Sequence, residues 1–159
     1  MTVIGITGPT GAGKTTVLKE IEALGGAVID CDAVYHEMLE SDRALQESLE
    51  RAFGPLRDGQ GAIDRKKLGA LVFGDPAKLE RLNAIAQRAV VQRTRQMVKE
   101  NRSRGIGLTA IDAFALLESG LADLCTTTVA VLAPAEARVA RIMAREGISE
   151  DYALSLIHI

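Results

Sequence analysis

One stretch restricts the folds open to this chain more than any other. Gly8-Pro9-Thr10-Gly11-Ala12-Gly13-Lys14-Thr15 fits the pattern G-x-x-x-x-G-K-[S/T] and stands between a short apolar run and a helical pattern. Glycines let such a loop wrap until successive backbone N–H groups face one phosphate, and the N-terminus of the following helix adds positive potential. Lys14 would then reach the β and γ phosphates of a nucleotide, and the Thr15 hydroxyl would ligate Mg²⁺. The nucleotide site is expected to run over Gly8, Pro9, Thr10, Gly11, Ala12, Gly13, Lys14, Thr15 and Thr16. The competing reading is a glycine-rich turn with a capping threonine.

The flanking pattern predicts parallel α/β architecture. Thr2 to Ile6 reads as a buried strand, and Val17, Leu18, Ile21 and Leu24 recur at helical spacing until Gly25-Gly26. Ala27 to Ile29 reads as a second strand ending in Asp30-Cys31-Asp32, so the opening is a βαβ unit. Helical patterns fill the middle, with Asp64 as an expected N-cap and Asp75-Pro76 opening the longest helix. In that helix Arg81, Arg88, Arg95 and Arg102 repeat every seven residues, opposite Leu79, Leu82, Ala86, Val90 and Met97. Gly107 to Ile111, ending in Asp112, and Thr126 to Leu132 are further strand candidates, with a helical turn expected over Phe114 to Glu118. Pro134 opens a helix bearing Arg138, Arg141 and Arg145, Gly147 ends it, and Ser149 caps the last one. This predicts one domain over 1–159 with a helical insertion at 33–104 and a lid region at 134–148.

Composition narrows the function. A net charge of −2 gives no general pull toward nucleic acid or an anionic membrane, so anion binding must be local. The arginine stripe reads as a solvated helix face. No apolar run approaches the roughly 20 residues of a membrane span, and Cys31 and Cys125 lack zinc or redox spacing, so a soluble cytoplasmic chain with free thiols is expected. Neither an Asn-Lys-x-Asp guanine signature nor a Leu-Ser-Gly-Gly-Gln transporter signature occurs, which leaves the small-molecule kinases among nucleotide-loop proteins. One carboxylate of Asp30-Cys31-Asp32 can accept the proton of an attacking hydroxyl, while the other reading makes them helix caps. Asp112 suits the Mg²⁺ shell or a cap, and Arg141 with Arg145, four apart, can close on a transferring phosphoryl group.

Beyond these motifs, the sequence resembles the dephospho-CoA kinases. The likeness is carried by Ile4-Gly5-Ile6-Thr7-Gly8 running into the loop, Val28-Ile29-Asp30-Cys31-Asp32, Phe53-Gly54, Asp64-Arg65-Lys66-Lys67-Leu68 with Val72-Phe73, Leu82-Asn83-Ala84-Ile85, and Leu116-Leu117-Glu118. The Arg141 to Arg145 spacing is similar to that of the family's lid arginines. The resemblance implies a three-layer P-loop kinase fold with a parallel sheet, a helical acceptor-binding insertion on the CoA side and an arginine lid. It further implies phosphorylation of the ribose 3′-hydroxyl of dephospho-CoA by ATP with Mg²⁺, Asp32 acting as base toward that hydroxyl.

Three departures stand out. Gln87-Arg88 replaces the family's His-Pro, Phe114 replaces a proline, and the chain stops at Ser155-Leu156-Ile157-His158-Ile159 where the family continues. An incomplete chain is the expectation drawn from the last, with the residues from about Leu154 even foreign sequence from a truncated gene read. Another small-alcohol kinase such as a shikimate kinase is one rival, although the Gly-Gly-Gly segment of those enzymes is absent. A nucleotide-binding domain without turnover is the other. Oligomeric state, ATP against GTP preference, and the roles of Asp30, Arg93 and Glu118 stay open at this level.

Overall fold

The computed structural model describes residues 1–157. The chain divides into two compact units, one formed by Met1–Ile29 with the chain from Val98 onward, the other by Asp30–Met97.

The first unit is built on strands β1 (Thr2–Thr7), β2 (Ala27–Asp30), β3 (Leu108–Asp112) and β4 (Thr127–Ala130), in the sheet order β2-β3-β1-β4. β1 pairs in parallel with both neighbours, with Ile4 opposite Ala110 and Thr127, and Ile6 opposite Asp112 and Val129. The βαβ unit read from the sequence is present, but its two strands are not adjacent, because β3 lies between them. Helix α1 (Lys14–Ala23) lays Val17, Leu18 and Ile21 on the sheet face formed by Ile4, Ile6, Val28, Leu108 and Ala110. The alternation of a strand sends Gly5 and Thr109 to the opposite face. There a Cβ on Gly5 would lie 2.7 Å from Leu116 Cδ2, and Asn101 Nδ2 donates to Thr109 Oγ1 at 3.3 Å.

Between β3 and β4 the helical turn expected over Phe114 to Glu118 is present as a single turn, the Ser119 N–H donating to the Ala115 carbonyl at 3.0 Å. Phe114–Gly120 is a run of turns, and a 3₁₀ helix follows at Leu121–Leu124. The turn goes no further for a local reason: Leu116 and Leu121 are buried while Phe114 and Leu117 are exposed, so no continuous apolar stripe exists to hold a longer helix. Helix α6 (Ala135–Glu146) ends at Gly147, whose φ of 65° suits glycine, and α7 (Glu150–Ile157) starts where Ser149 Oγ accepts from the Tyr152 N–H at 3.3 Å. Ala153, Leu154, Leu156 and Ile157 of α7 pack around Val139 and Ile142 of α6. Leu154, Leu156 and Ile157, in the segment expected to be foreign sequence, lie against this core, while His158 and Ile159 lie outside the described residues.

The second unit is helical: α2 (Cys31–Ser41), α3 (Arg43–Phe53), α4 (Arg65–Val72), and α5 (Pro76–Ser103) as far as Met97. Its starts are fixed by carboxylate caps. Asp30 Oδ1 accepts from the Asp32 and Ala33 N–H groups, Asp42 Oδ1 from that of Leu45, and Asp64 Oδ1 from those of Lys66 and Lys67, each worth about 1 kcal/mol. Glu50 pins the turn after α3, accepting from the Leu56 N–H at 3.3 Å and Arg57 Nε at 3.1 Å. These bonds, the Leu56 N–H foremost, hold its carboxyl below the usual range. Arg81, Arg88, Arg95 and Arg102 of α5 are all exposed, as the seven-residue spacing predicts. Among the described residues no helix is long and apolar enough to cross a membrane.

Candidate active site

The phosphate loop leaves β1 and enters α1 under tight steric control. A Cβ on Gly8 would sit 2.5 Å from the Val131 carbonyl oxygen. Gly11, at φ 76°, would place one 2.8 Å from the Arg138 carbonyl oxygen, so both the turn and the approach of α6 require glycine there. Inside the loop the Ala12 N–H donates to the Pro9 carbonyl, and those of Thr16 and Val17 to the Gly13 carbonyl. The amides of Gly11, Gly13, Lys14 and Thr15 donate to no acceptor among the described residues. Unspent donors at a helix start are what an anion needs. Gly11→Ala is therefore expected to lower the melting temperature and to weaken ATP binding at least about tenfold, measured by melting and by ATP titration.

Sheet register supplies the next group. Because Ile6 lies opposite Asp112, the carboxylate ends β3 beside the start of the loop. Lys14 Nζ lies 2.7 Å from Asp112 Oδ1, and the two side chains are 24% and 16% exposed. Apart from that ion pair, Asp112 Oδ1 is buried and accepts no hydrogen bond among the described residues. An ammonium approaching outside good hydrogen-bond geometry leaves the oxygen room for a further ligand.

Helix α6 closes the loop from outside with arginines. Arg138 Nε donates to the Thr10 carbonyl at 3.0 Å, and Arg141 Nη1 to the carbonyls of Gly11 and Ala12, both at 3.1 Å. Arg145 Nη2 lies 3.4 Å from Thr10 Oγ1, while its Nε donates to Glu146 Oε1 at 2.7 Å. The charges of Arg138 and Arg141 meet neutral carbonyls, which a phosphate oxygen can replace with gain; that of Arg145 is partly offset by Glu146. The structure thus brings Lys14, Asp112, Arg141 and Arg145 around one loop. Arg138 is a contact that the sequence reading did not single out, although it sits one turn before Arg141.

The carboxylates after β2 belong to the helical unit. Asp30 is spent as the N-cap of α2, with Asp32 and Ala33 N–H groups at 3.0 and 3.1 Å. Asp32, two residues on, is 83% exposed in its side chain and has His36 Nε2 at 3.9 Å. The cap takes only Oδ1 of Asp30, whereas neither oxygen of Asp32 accepts a hydrogen bond among the described residues. Glu118 is exposed in the turns after β3, and Thr15 and Thr16 are exposed at the start of α1. Arg88 and Arg93 line a groove of about 430 Å³ within the helical unit, walled by Met38, Leu45 and Ile85.

Comparison with known proteins adds sequence-wide likeness to this geometry. Residues 2–159 match a family model described as dephospho-CoA kinase. A dephospho-CoA kinase of Dehalococcoides mccartyi is 35% identical over 158 residues, which cover 99% of this chain and 79% of that protein. Among solved structures, TT1252 from Thermus thermophilus is 35% identical with a TM-score of 0.71 over 98% of this chain and 78% of that one. A dephospho-CoA kinase from Campylobacter jejuni, 19% identical, shares the fold with a TM-score of 0.66 over the same shares of the two chains.

Proposed function

The chain belongs to the dephospho-CoA kinase family, and on that premise we propose that it transfers the γ-phosphoryl group of ATP to the ribose 3′-hydroxyl of dephospho-CoA, giving CoA and ADP. The observation that carries the reading is the loop itself: unspent amides around Lys14, with Asp112 and the α6 arginines on the same loop. A loop of that kind suits phosphoryl transfer, and membership of the family selects the acceptor.

In the reaction the 3′-oxygen forms a bond to the γ phosphorus as the bond from phosphorus to the β–γ bridging oxygen breaks, in line. Asp32 orients the hydroxyl and takes its proton. The amides of Gly11, Gly13, Lys14 and Thr15 cradle the phosphates, and Lys14 leaves Asp112 to meet the β and γ oxygens. Arg141 and Arg145 offset the charge that develops on the transferring group. The Arg141 guanidinium must then exchange carbonyl partners for phosphate oxygens, a change from neutral to charge-assisted bonding that favours the bound state.

Thr15 and Asp112 are the residues that would hold Mg²⁺, and the buried Asp112 oxygen without a hydrogen bond fits such a ligand. No cluster of three metal-ligating side chains occurs among the described residues, which suits an ion whose remaining ligands are phosphates and water. When bound, that ion supplies neutralisation of phosphate charge. Release of ADP from ATP, followed with dephospho-CoA, shikimate and gluconate in turn, tests the reading. Stimulation by dephospho-CoA alone is expected, and no release with any acceptor would point to the nucleotide-binding rival.

A further inference from the structure

Asp32, His36 and Arg65 form a side-chain cluster within the helical unit, away from the phosphate loop in sequence. Asp32 and His36 are four residues apart on α2 and so share one face. His36 Nε2 lies 3.9 Å from Asp32 Oδ1 and 3.1 Å from Arg65 Nη2, so carboxylate and guanidinium flank one ring nitrogen. That nitrogen carries either a lone pair or a proton and serves one neighbour at a time. A guanidinium can only donate, so in the shorter contact Nε2 is the acceptor.

Arg65 is therefore held by a partner that does not cancel its charge. No carboxylate lies within ion-pair distance of it among the described residues. Its positive charge also reaches Tyr35, whose hydroxyl is pushed up by burial and drawn partly back by Arg65. Helix stability does not account for the residue, because a cation in the first turn of α4 opposes the helix dipole.

The proposed acceptor supplies a reason for that placement. Dephospho-CoA offers its 3′-hydroxyl to Asp32 while carrying a diphosphate on the same ribose. Carboxylate and diphosphate repel one another unless a cation stands beside the carboxylate, and a planar guanidinium pairs two phosphate oxygens at once. We propose that Arg65 is an acceptor-binding residue that grips the diphosphate of dephospho-CoA, with His36 as the residue that positions it. The inference rests on the proposed function, since it assumes that acceptor and the role of Asp32 toward its hydroxyl.

Steady-state kinetics of the full chain with ATP and dephospho-CoA test it, with melting curves as the check on folding. Arg65→Gln should raise KM for dephospho-CoA by about 10- to 100-fold, the scale of one charged hydrogen-bonded partner, with kcat and KM for ATP within about threefold of the parent. Arg65→Lys, which keeps the charge and loses the fork, should fall between. His36→Gln retains an oxygen able to accept from Arg65, so it should keep more acceptor affinity than His36→Phe. In an Arg65→Gln background, His36→Phe should add nothing further to KM, a non-additivity that a merely structural histidine would not produce. Acceptor KM within twofold of the parent in a folded Arg65→Gln chain, or a fall in kcat alone, overturns the assignment. If Arg65→Gln does not fold, Arg65→Lys decides by the same criterion. A parent chain inert toward dephospho-CoA would instead overturn the functional reading beneath it.

Discussion

Lys14→Ala is expected to reduce phosphoryl transfer by at least about 10²-fold and to weaken ATP binding, because it removes the charged group of the loop. The same substitution strips Asp112 of its partner at 2.7 Å and leaves a buried carboxylate oxygen uncompensated. That should cost roughly 1–3 kcal/mol of stability, visible as a lower melting temperature. A second substitution separates the two effects. Lys14→Ala with Asp112→Asn should regain stability, since a neutral amide tolerates the site, yet stay inactive. Recovery of turnover along with stability in the double variant would mean that Lys14 serves the fold rather than the phosphates. Rates under saturating dephospho-CoA, ATP titration and melting curves together decide this.

Asp32→Asn is the second large effect, with an expected loss in kcat of about 10²- to 10⁴-fold at unchanged ATP affinity. Its neighbour gives an internal control. Asp30 caps α2 through two N–H groups, and asparagine caps a helix about as well as aspartate. Asp30→Asn should therefore keep both melting temperature and turnover, whereas Asp30→Ala should lose about 1 kcal/mol of stability with turnover largely kept. A dead Asp30→Asn beside an active Asp32→Asn would reverse the two assignments.

The sequence carried most of the fold because its signals are local. The caps at Asp64 and Ser149, the proline at the start of α5 and the glycine after α6 act within a turn of their own position, so spacing alone reveals them. Sheet order is different. Nothing in the run from β1 to β2 tells that β3 will lie between them, because pairing partners are chosen by long-range packing. Burial in the short turn after β3 is likewise set by packing: Phe114 and Leu117 look like core residues to a pattern, yet both are exposed and only Leu116 is buried between them.

The site divides along the same line. Loop residues were legible as a contiguous motif, and Asp112 as the end of an apolar strand. The ion pair between Lys14 and Asp112 follows from register, which places Ile6 opposite Asp112 and which no single stretch of sequence displays. Likewise the partnership of Arg65 with His36 spans 29 positions, and neither residue shows the spacing of a known ligand set. What could have flagged His36 is its place four residues after Asp32 on a predicted helix.

The central claim is that the phosphoryl group of ATP arrives on one particular oxygen of one acceptor. Incubation of the chain with ATP, Mg²⁺ and dephospho-CoA, followed by mass and ³¹P analysis of the products, reads this directly. The account predicts a product heavier than dephospho-CoA by one phosphoryl group, carried as a monoester on the ribose 3′-oxygen, in equal amount to the ADP formed. Inorganic phosphate formed in place of that monoester, or the phosphoryl group on any other atom, would contradict it.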